Sequence, residues 1–151
     1  MTHLSRIAAL ACTAFVCLTA WADAGSEASA VVQRWSAAYS ANDVDALVAL
    51  YAPDALLLGT VSPVKSEGTE AIRSYFGRLK GSGNKNAIRE QRVFVLGDGA
   101  ALVAGFYDFS NPQQNPPVRP SRFTMLVTRQ GSEWRIAHHH SSPLAPPPPK
   151  Q

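Results

Sequence analysis

The sequence predicts an α+β fold in which three N-terminal helices pack in a strongly curved, mostly antiparallel sheet. Two observations support this class. Apolar residues recur at helical spacing in the first half of the chain, and they alternate at strand spacing in the second half. Because a long sheet with helices on one face curls around them, we expect a cone with one open end. A cavity inside such a cone is the usual place for a small ligand.

Three segments have the apolar spacing of helices. The second begins at its capping residue Asp43 and ends at Pro53, and residues 55–60 then form a short buried strand. The third begins at Ser66 and ends near Gly81. The apolar stripe of the first helix comprises Ala28, Val31, Val32, Trp35, Ala38 and Tyr39; that of the second comprises Leu47, Leu50 and Tyr51; that of the third comprises Ile72, Tyr75, Phe76 and Leu79.

Four strands are predicted after the helices, from segments rich in β-branched and aromatic residues. Gly-Asp-Gly at residues 97–99 forms the turn after the first strand, and Gln-Gly-Ser at residues 130–132 forms the turn before the last. The segment NPQQNPPVRP, residues 111–120, is too polar and kinked to belong to a sheet, so we predict a loop there. The strands cover residues 89–96, 100–109, 122–129 and 133–142.

The N-terminus has the pattern of a secretory signal peptide over residues 1–22. Arg6 provides the basic region, a short apolar run follows it, and cleavage is expected near Ala22 or Ala24. The apolar run is too short to span a bilayer comfortably. An uncleaved anchor, or a lipoprotein acceptor at Cys12, is the alternative. We therefore expect a periplasmic or secreted protein.

Cleavage would leave one domain over residues 26–142 and a proline-rich tail over residues 143–151, for which we expect polyproline structure or disorder. It would also remove both cysteines, Cys12 and Cys17, and with them any disulfide, thiolate zinc site or cysteine nucleophile. The formal net charge of the full chain is only +3, and its basic residues are scattered. We therefore expect no nucleic-acid partner. We also expect no membrane partner after signal removal, no cofactor and no metal.

Three consecutive histidines, His138 to His140, occupy the last predicted strand. Alternation along a strand puts Trp134 and Ile136 on the face of His138 and His140, and Arg135 and Ala137 on the face of His139. Three interpretations are open: half-buried, hydrogen-bonded imidazoles; His139 as a ligand-binding or proton-transferring group; or a metal pair at His138 and His140. The last has no third ligand in evidence.

Four segments carry a resemblance to a known superfamily. "ANDVDALVALYAPDALL" resembles the second-helix signature of the nuclear transport factor 2-like, or SnoaL-like, proteins. "EGTEAIRSYF", "LGDGAALVAGFY" and "RFTMLVTRQGSEWRIAHHHSS" are similar to the association (hub) domain of calcium/calmodulin-dependent protein kinase type II and its bacterial SgcJ/EcaC-type relatives. The resemblance covers about 120 residues of the chain, with the four segments in the same order.

The resemblance implies a cone-shaped fold and a homo-oligomer, either a dimer formed through the outer sheet face or a ring of dimers. It does not imply kinase activity, because the sequence has no glycine-rich phosphate loop, V-A-I-K lysine, H-R-D or D-F-G triplet. It also implies that His139 faces the cavity beside Ser141, with His138 and His140 outside. The positions that are cationic in the hub cavity correspond here to Ile72, Tyr107, Met125 and Ser141, and none of them is basic.

A candidate ligand pocket follows from these placements. Tyr107 and Phe109 share a strand face in the cavity wall, which points Asp108 outward, and Asp54 is expected to be a turn residue. Arg122 is the candidate cation beside the cavity mouth. The complete predicted set is Trp35, Tyr39, Tyr51, Tyr75, Tyr107, Phe109, Arg122, Met125, His139 and Ser141.

Two functions from different classes are compatible with this pocket. The first is an exported, self-associating protein that binds an unidentified small molecule without turnover. The second is a cofactor-independent isomerase, cyclase or lyase in which His139 and Tyr107 are catalytic. A pure assembly module is a third, weaker option. The lack of an acidic residue among the predicted pocket residues favours the first function.

Overall fold

The computed structural model describes residues 24–115 and 117–145. Three α-helices precede most of the sheet, and a short 3₁₀ helix, Gly77–Leu79, follows the third of them. The helices are α1 (24–41), α2 (Val44–Ala49) and α3 (Gly68–Phe76). The strands are β1 (Tyr51–Leu58), β2 (Ser66–Glu67), β3 (Lys85–Gly97), β4 (Ala100–Ser110), β5 (Val118–Gln130) and β6 (Glu133–Pro143).

All six strands form one sheet in the order β2-β1-β6-β5-β4-β3. Only the contact between β1 and β6 is parallel, and the four other pairings are antiparallel. The helices pack against this mostly antiparallel sheet, which confirms the predicted α+β class. Asp43 caps α2 as predicted, since its carboxylate accepts a hydrogen bond from Ala46 N at 3.0 Å.

The core lies between α1 and the concave face of the sheet. Trp35 of α1 is 1% exposed, and it contacts residues from α3, β4 and β6. A polar contact fixes the same helix to the edge of the sheet, because Ser36 Oγ donates to Asn86 Oδ1 of β3 at 2.7 Å. The largest buried side chains are Trp35, Tyr107, Leu47, Leu57, Ile72, Met125, Ile136 and His139.

Irregular pairings bend the sheet at defined places. The register between β3 and β4 shifts around Arg89, where Gly105 of β4 lies so close to β3 that a Cβ would fall 2.1 Å from Glu90 O. The register between β5 and β6 shifts because Leu126 pairs with His138 and Val127 pairs with Ile136. An extra residue of this kind bends a strand and increases its twist, so these bulges help the sheet to curve around the helices.

The bulge in β6 overturns part of the predicted alternation. Ala137 is the extra residue, so the strand changes phase there and Ile136 faces the core together with His139 and Ser141. The prediction that Ile136 shares the face of His138 and His140 was therefore wrong. A strict two-residue period holds only while each residue has one partner.

The segment after α2 also differs from the prediction. Tyr51 and Pro53 do not belong to that helix, because α2 ends at Ala49 and both residues lie in β1. Pro53 is tolerated in a strand because it lies where the register between β1 and β6 is interrupted. Pro53 therefore lies at an irregular place in a strand and not at the end of a helix.

Three other boundaries were predicted wrongly. Ser66 starts the short strand β2, which pairs with β1, so the third helix begins later than predicted. β3 begins at Lys85 rather than at residue 89. β5 begins at Val118, inside the predicted loop, because Pro120 occupies a ladder position opposite Asp108 and still offers its carbonyl, which accepts from Leu144 N at 3.1 Å.

The two ends of the chain fall largely outside the described residues. This applies to the predicted signal peptide and to most of the predicted tail. The tail begins later than predicted, since β6 continues through Pro143 and Leu144 still bonds to β5. Within the described ranges, no helix has the length and apolar character needed to cross a membrane.

Candidate functional site

A cavity of about 220 Å³ lies between α1, the end of α3 and the concave face of the sheet. A cavity of about 150 Å³ is enough for one benzene ring, so this space suits a molecule of one or two rings. Aromatic and polar side chains share its wall. The aromatic ones are Trp35, Tyr39, Tyr75, Phe76, Tyr107 and Phe109.

The structure brings seven of the ten predicted pocket residues to this cavity. They are Trp35, Tyr39, Tyr75, Tyr107, Phe109, His139 and Ser141. Tyr51 lies behind His139, to which it is hydrogen-bonded. Met125 is fully buried opposite His139 in the neighbouring strand and is a core residue rather than a wall residue.

Arg122 was predicted wrongly. Its side chain is exposed, and it borders a shallow groove on the outer sheet face. The inward positions of β5 are Ser121 and Phe123, both buried, so alternation carries Arg119 rather than Arg122 to the cavity. Recognising that β5 starts at Val118 would have identified Arg119 from the sequence.

The imidazole of His139 is held from its Nδ1 side by two residues from different elements. Trp35 Nε1 donates to Tyr51 Oη at 2.8 Å, and Tyr51 Oη lies 2.8 Å from His139 Nδ1. An indole N–H can only donate, and a phenol has one proton. Tyr51 accepts from Trp35, and its own proton is available to Nδ1, which favours the tautomer of neutral His139 with the ring proton on Nε2.

The Nε2 side of His139 continues the same chain of hydrogen bonds. Nε2 lies 3.4 Å from Tyr107 Oη, and Tyr107 donates to Ser141 Oγ. Ser141 Oγ is also hydrogen-bonded to Thr60 Oγ1. Either of these two hydroxyls can be the donor, since each has one proton and can also accept. We name these six residues, from Trp35 to Thr60, the hydrogen-bond chain.

Burial keeps the hydrogen-bond chain uncharged. The pKa of His139 falls from 6.5 to about 3, mainly because desolvation penalises the imidazolium and secondarily because His138 and His140 are close. Desolvation raises the pKa of Tyr51 and the pKa of Tyr107 above the usual value for phenols. At neutral pH the residues of the hydrogen-bond chain are therefore uncharged. Those that line the cavity form what we call its floor.

Ring contacts fix the geometry of this floor. Trp35 stacks on Tyr107 with ring centroids 5.9 Å apart, and its ring is perpendicular to that of His139 at 5.1 Å. Tyr39 also packs on Trp35, at 5.4 Å, and against Phe109 at 5.1 Å. Arrangements of this kind are favourable beyond the burial of area. The wall is therefore rigid and suited to a flat apolar ligand.

The sequence did not point to several wall residues in connecting segments. Thr60 and Val61 belong to the segment after β1, Arg78 follows α3, and Asn84 precedes β3. Only the tertiary fold brings these connecting segments together at one end of the sheet. Gly59 is needed beside them, because a Cβ there would fall 2.3 Å from the ring of Tyr75.

Acidic residues do not contribute to this cavity. Among the wall residues that the structure describes, none is aspartate or glutamate. Asp108 points away from the cavity, as predicted, and lies 3.4 Å from Arg89. Asp54 is exposed in β1 rather than in the predicted turn.

The two flanking histidines lie outside the cavity. His138 is half-buried, and His140 is exposed beside the outer groove. The described part of the chain contains no group of three or more histidine, cysteine or acidic side chains that could hold a metal ion. The three histidines therefore serve two different surfaces of the sheet.

A curved, mostly antiparallel sheet closed by three helices around a cavity is the nuclear transport factor 2-like fold. Solved structures of other proteins have the same fold. A protein from Xanthomonas campestris, named for the calcium/calmodulin-dependent protein kinase II association domain, is 32% identical. The match covers 78% of this chain and 86% of that chain, with a TM-score of 0.72.

Two less similar structures show the same fold. A nuclear transport factor 2-like protein of unknown function from Pseudomonas putida KT2440 is 22% identical over 80% of this chain and 87% of its own, with a TM-score of 0.72. A ketosteroid isomerase-like protein from Erwinia carotovora atroseptica is 18% identical over 81% and 97%, with a TM-score of 0.64. The SnoaL-like domain family matches residues 28–146, and the chain belongs to that family.

Proposed function

We propose that this protein is an exported, self-associating domain that binds a small, flat molecule in its cavity and has no kinase activity. One observation carries the proposal: an aromatic cavity of about 220 Å³ whose floor is a buried, fully hydrogen-bonded and neutral set of side chains. A preformed cavity that combines aromatic side chains with fixed polar groups is typical of small-molecule binding sites.

The hydrogen-bond chain also indicates how a ligand would be oriented. It begins at an indole N–H, which can only donate, and it ends at the Thr60 hydroxyl, which can both donate and accept. A polar group of the ligand would extend the chain at that hydroxyl.

A pair of valines in one loop provides a test of cavity binding. Val61 lines the cavity and is 53% exposed, whereas Val64 is 68% exposed and does not line it. Val61→Trp should block the cavity, and Val64→Trp should leave it open. Binding of small aromatic compounds would be measured by ligand-detected NMR. Binding that Val61→Trp leaves intact would refute the proposal.

Catalysis by His139 and Tyr107 is the alternative function. Their 3.4 Å separation would allow a proton to pass between them, and the similarity to a ketosteroid isomerase-like protein gives this chemistry a precedent within the fold. A general base works best with a pKa near the working pH, whereas burial lowers the pKa of His139 to about 3. The alternative is therefore the less favoured one.

Proton exchange would separate the two functions. A panel of enolisable ketones would be incubated with the protein in D₂O, and deuterium at the carbon next to the carbonyl would be followed by NMR. Exchange that is lost in His139→Gln, while the variant remains folded, would favour an isomerase or a lyase. Cavity binding without exchange would favour a binding protein.

We also propose self-association through the outer face of the sheet. β3 is an edge strand, and its outward residues include Phe94, 41% exposed, and Leu96, 61% exposed. Large apolar side chains on an open sheet face are typical of a protein interface. Leu96→Glu should lower the molar mass measured by light scattering, and Val64→Glu should not. A monomeric wild-type protein would refute this part of the proposal.

Export is proposed from the predicted signal peptide alone. Expression of the full sequence in a Gram-negative host, followed by fractionation and N-terminal sequencing, would test it. A mature protein that begins near residue 23 or 25 in the periplasm or medium would support export. An uncleaved protein in the cytoplasm would refute it.

A further inference from the structure

Two guanidinium groups belong to the wall of the cavity, and the side chain of one of them, Arg78, is exposed. Arg119 lies on the inward side of β5, and Arg78 lies in the 3₁₀ helix after α3. The guanidinium carbon of Arg78 is 4.7 Å from the centre of the Tyr75 ring, which is part of the same wall. Two elements that are distant in the sequence thus bring positive charge to one place.

Both charges act on one oxygen of the wall. Burial raises the pKa of Tyr39 to about 12, and Arg78 and Arg119 both oppose that rise. Both guanidinium groups are therefore close enough to the Tyr39 hydroxyl to favour a negative charge there. A ligand anion near Tyr39 would be stabilised in the same way.

No carboxylate balances these two arginines within the described ranges. Neither of them forms an ion pair there, and the described wall residues include no acid. The basic residues that do form ion pairs in the described ranges are Lys65, Arg73, Arg89 and Arg135. Two arginines without a carboxylate partner in the wall of this cavity can therefore bind an anionic group of a ligand.

We infer that the ligand is a small aromatic or similarly flat acid, whose apolar body lies against Trp35 and Tyr107 and whose carboxylate lies at Arg78 and Arg119. This inference rests on the proposed binding function and names its ligand class. A guanidinium group matches the geometry of a carboxylate and can donate two parallel hydrogen bonds to it. The arginines were not among the predicted pocket residues, and they do not occupy the cavity positions that the hub resemblance indicated.

Matched pairs of probes test the inference. Benzoate and benzamide have nearly the same shape and differ in charge, as do cinnamate and cinnamamide. Affinities would be measured by titration calorimetry and ligand-detected NMR at low and high salt. Each acid should bind at least about tenfold more tightly than its amide at low salt, because charge-assisted hydrogen bonds are the stronger ones. High salt should reduce this preference, because the side chain of Arg78 is exposed.

Arg122 provides the control variant, since it is on the same strand as Arg119 and faces outward. Arg119→Gln and Arg78→Gln should each weaken binding of the acids and leave binding of the amides unchanged. The double variant should remove the preference for acids. Arg122→Gln should bind both members of each pair as the wild type does.

The outcomes separate this inference from the proposed function. If acids and amides bind equally and Val61→Trp blocks both, the cavity binds ligands but the inference about acids is wrong. If Arg122→Gln weakens acid binding as much as Arg119→Gln, the preference reflects general surface charge and the inference is also wrong. If no probe binds in a way that Val61→Trp prevents, the proposed function fails and the inference fails with it.

Discussion

Tyr51 Oη lies 2.8 Å from His139 Nδ1, although the two residues are 88 positions apart in the sequence. This contact joins the first and last strands of the domain, which pair in parallel. It also favours the tautomer in which Nε2 of the imidazole carries the proton. The packing of the fold and the chemistry of the cavity therefore depend on the same pair of side chains.

The first prediction concerns the acid stability of the protein. Between pH 6.5 and about 3, the unfolded chain binds a proton at His139 and the native protein does not. Stability is therefore lost as the pH falls through this window, by about 1.4 kcal/mol for each pH unit. His139→Gln should show a smaller loss than the wild type in urea unfolding between pH 7 and pH 4.5. His140→Gln, exposed on the outer face, should keep the loss, and an unchanged slope in His139→Gln would contradict the explanation.

The second prediction concerns the central hydroxyl of the hydrogen-bond chain. Tyr51→Phe would leave two buried groups, the Trp35 N–H and His139 Nδ1, without their partner. Each orphaned group costs about 1–3 kcal/mol, so the free energy of unfolding should fall by roughly 2–6 kcal/mol. Tyr39→Phe, at a half-buried position, should cost less. Equal losses in the two variants would mean that the chain does not contribute as described.

The third prediction concerns the tautomer of His139. Donation from Tyr51 to Nδ1 requires the proton on Nε2 at pH 7. Nitrogen-15 NMR of the ring should show a protonated Nε2 and an unprotonated Nδ1. In Tyr51→Phe this preference should weaken, because nothing then donates to Nδ1. A doubly protonated ring at pH 7 would contradict both the tautomer and the lowered pKa.

The fourth prediction concerns the close approach of β3 and β4. A Cβ at Gly105 would lie 2.1 Å from Glu90 O and 2.9 Å from Gln91 Cα, and neither backbone atom can move aside as a side chain could. Gly105→Ala should therefore destabilise the protein by about 1–3 kcal/mol or more. Gly97→Ala is the matched control, since nothing lies within 4 Å of a Cβ there. Urea unfolding compares the two variants, and a neutral Gly105→Ala would show that the strands can separate freely.

The sequence predicted the elements well wherever local spacing decided them. The stripe through Val31, Val32 and Trp35 identified α1, and the cap at Asp43 identified the start of α2. The Gly-Asp-Gly turn at residues 97–99 correctly separated β3 from β4. These features depend on contacts within a few residues, which a sequence displays directly.

The errors occur where a distant partner overrides the local signal. Pro53 indicated a helix end, yet its strand is held by pairing with β6. Pro120 indicated a loop, yet pairing with β4 and a bond to Leu144 keep it in β5. The short predicted strand left Arg119 in a loop, whereas alternation with the inward residues of β5 places Arg119 on the cavity side and Arg122 on the outer side.

The sequence by itself determined the α+β class through its local periodicity, and its resemblance to known proteins indicated the family and the aromatic residues of the cavity. The tertiary structure alone decided which partners the two imidazole nitrogens have, which arginines face the cavity and how Thr60 joins the hydrogen-bond chain. Those properties depend on bulges and on contacts between segments far apart in the chain, where a shift of a single residue reverses the face of a strand.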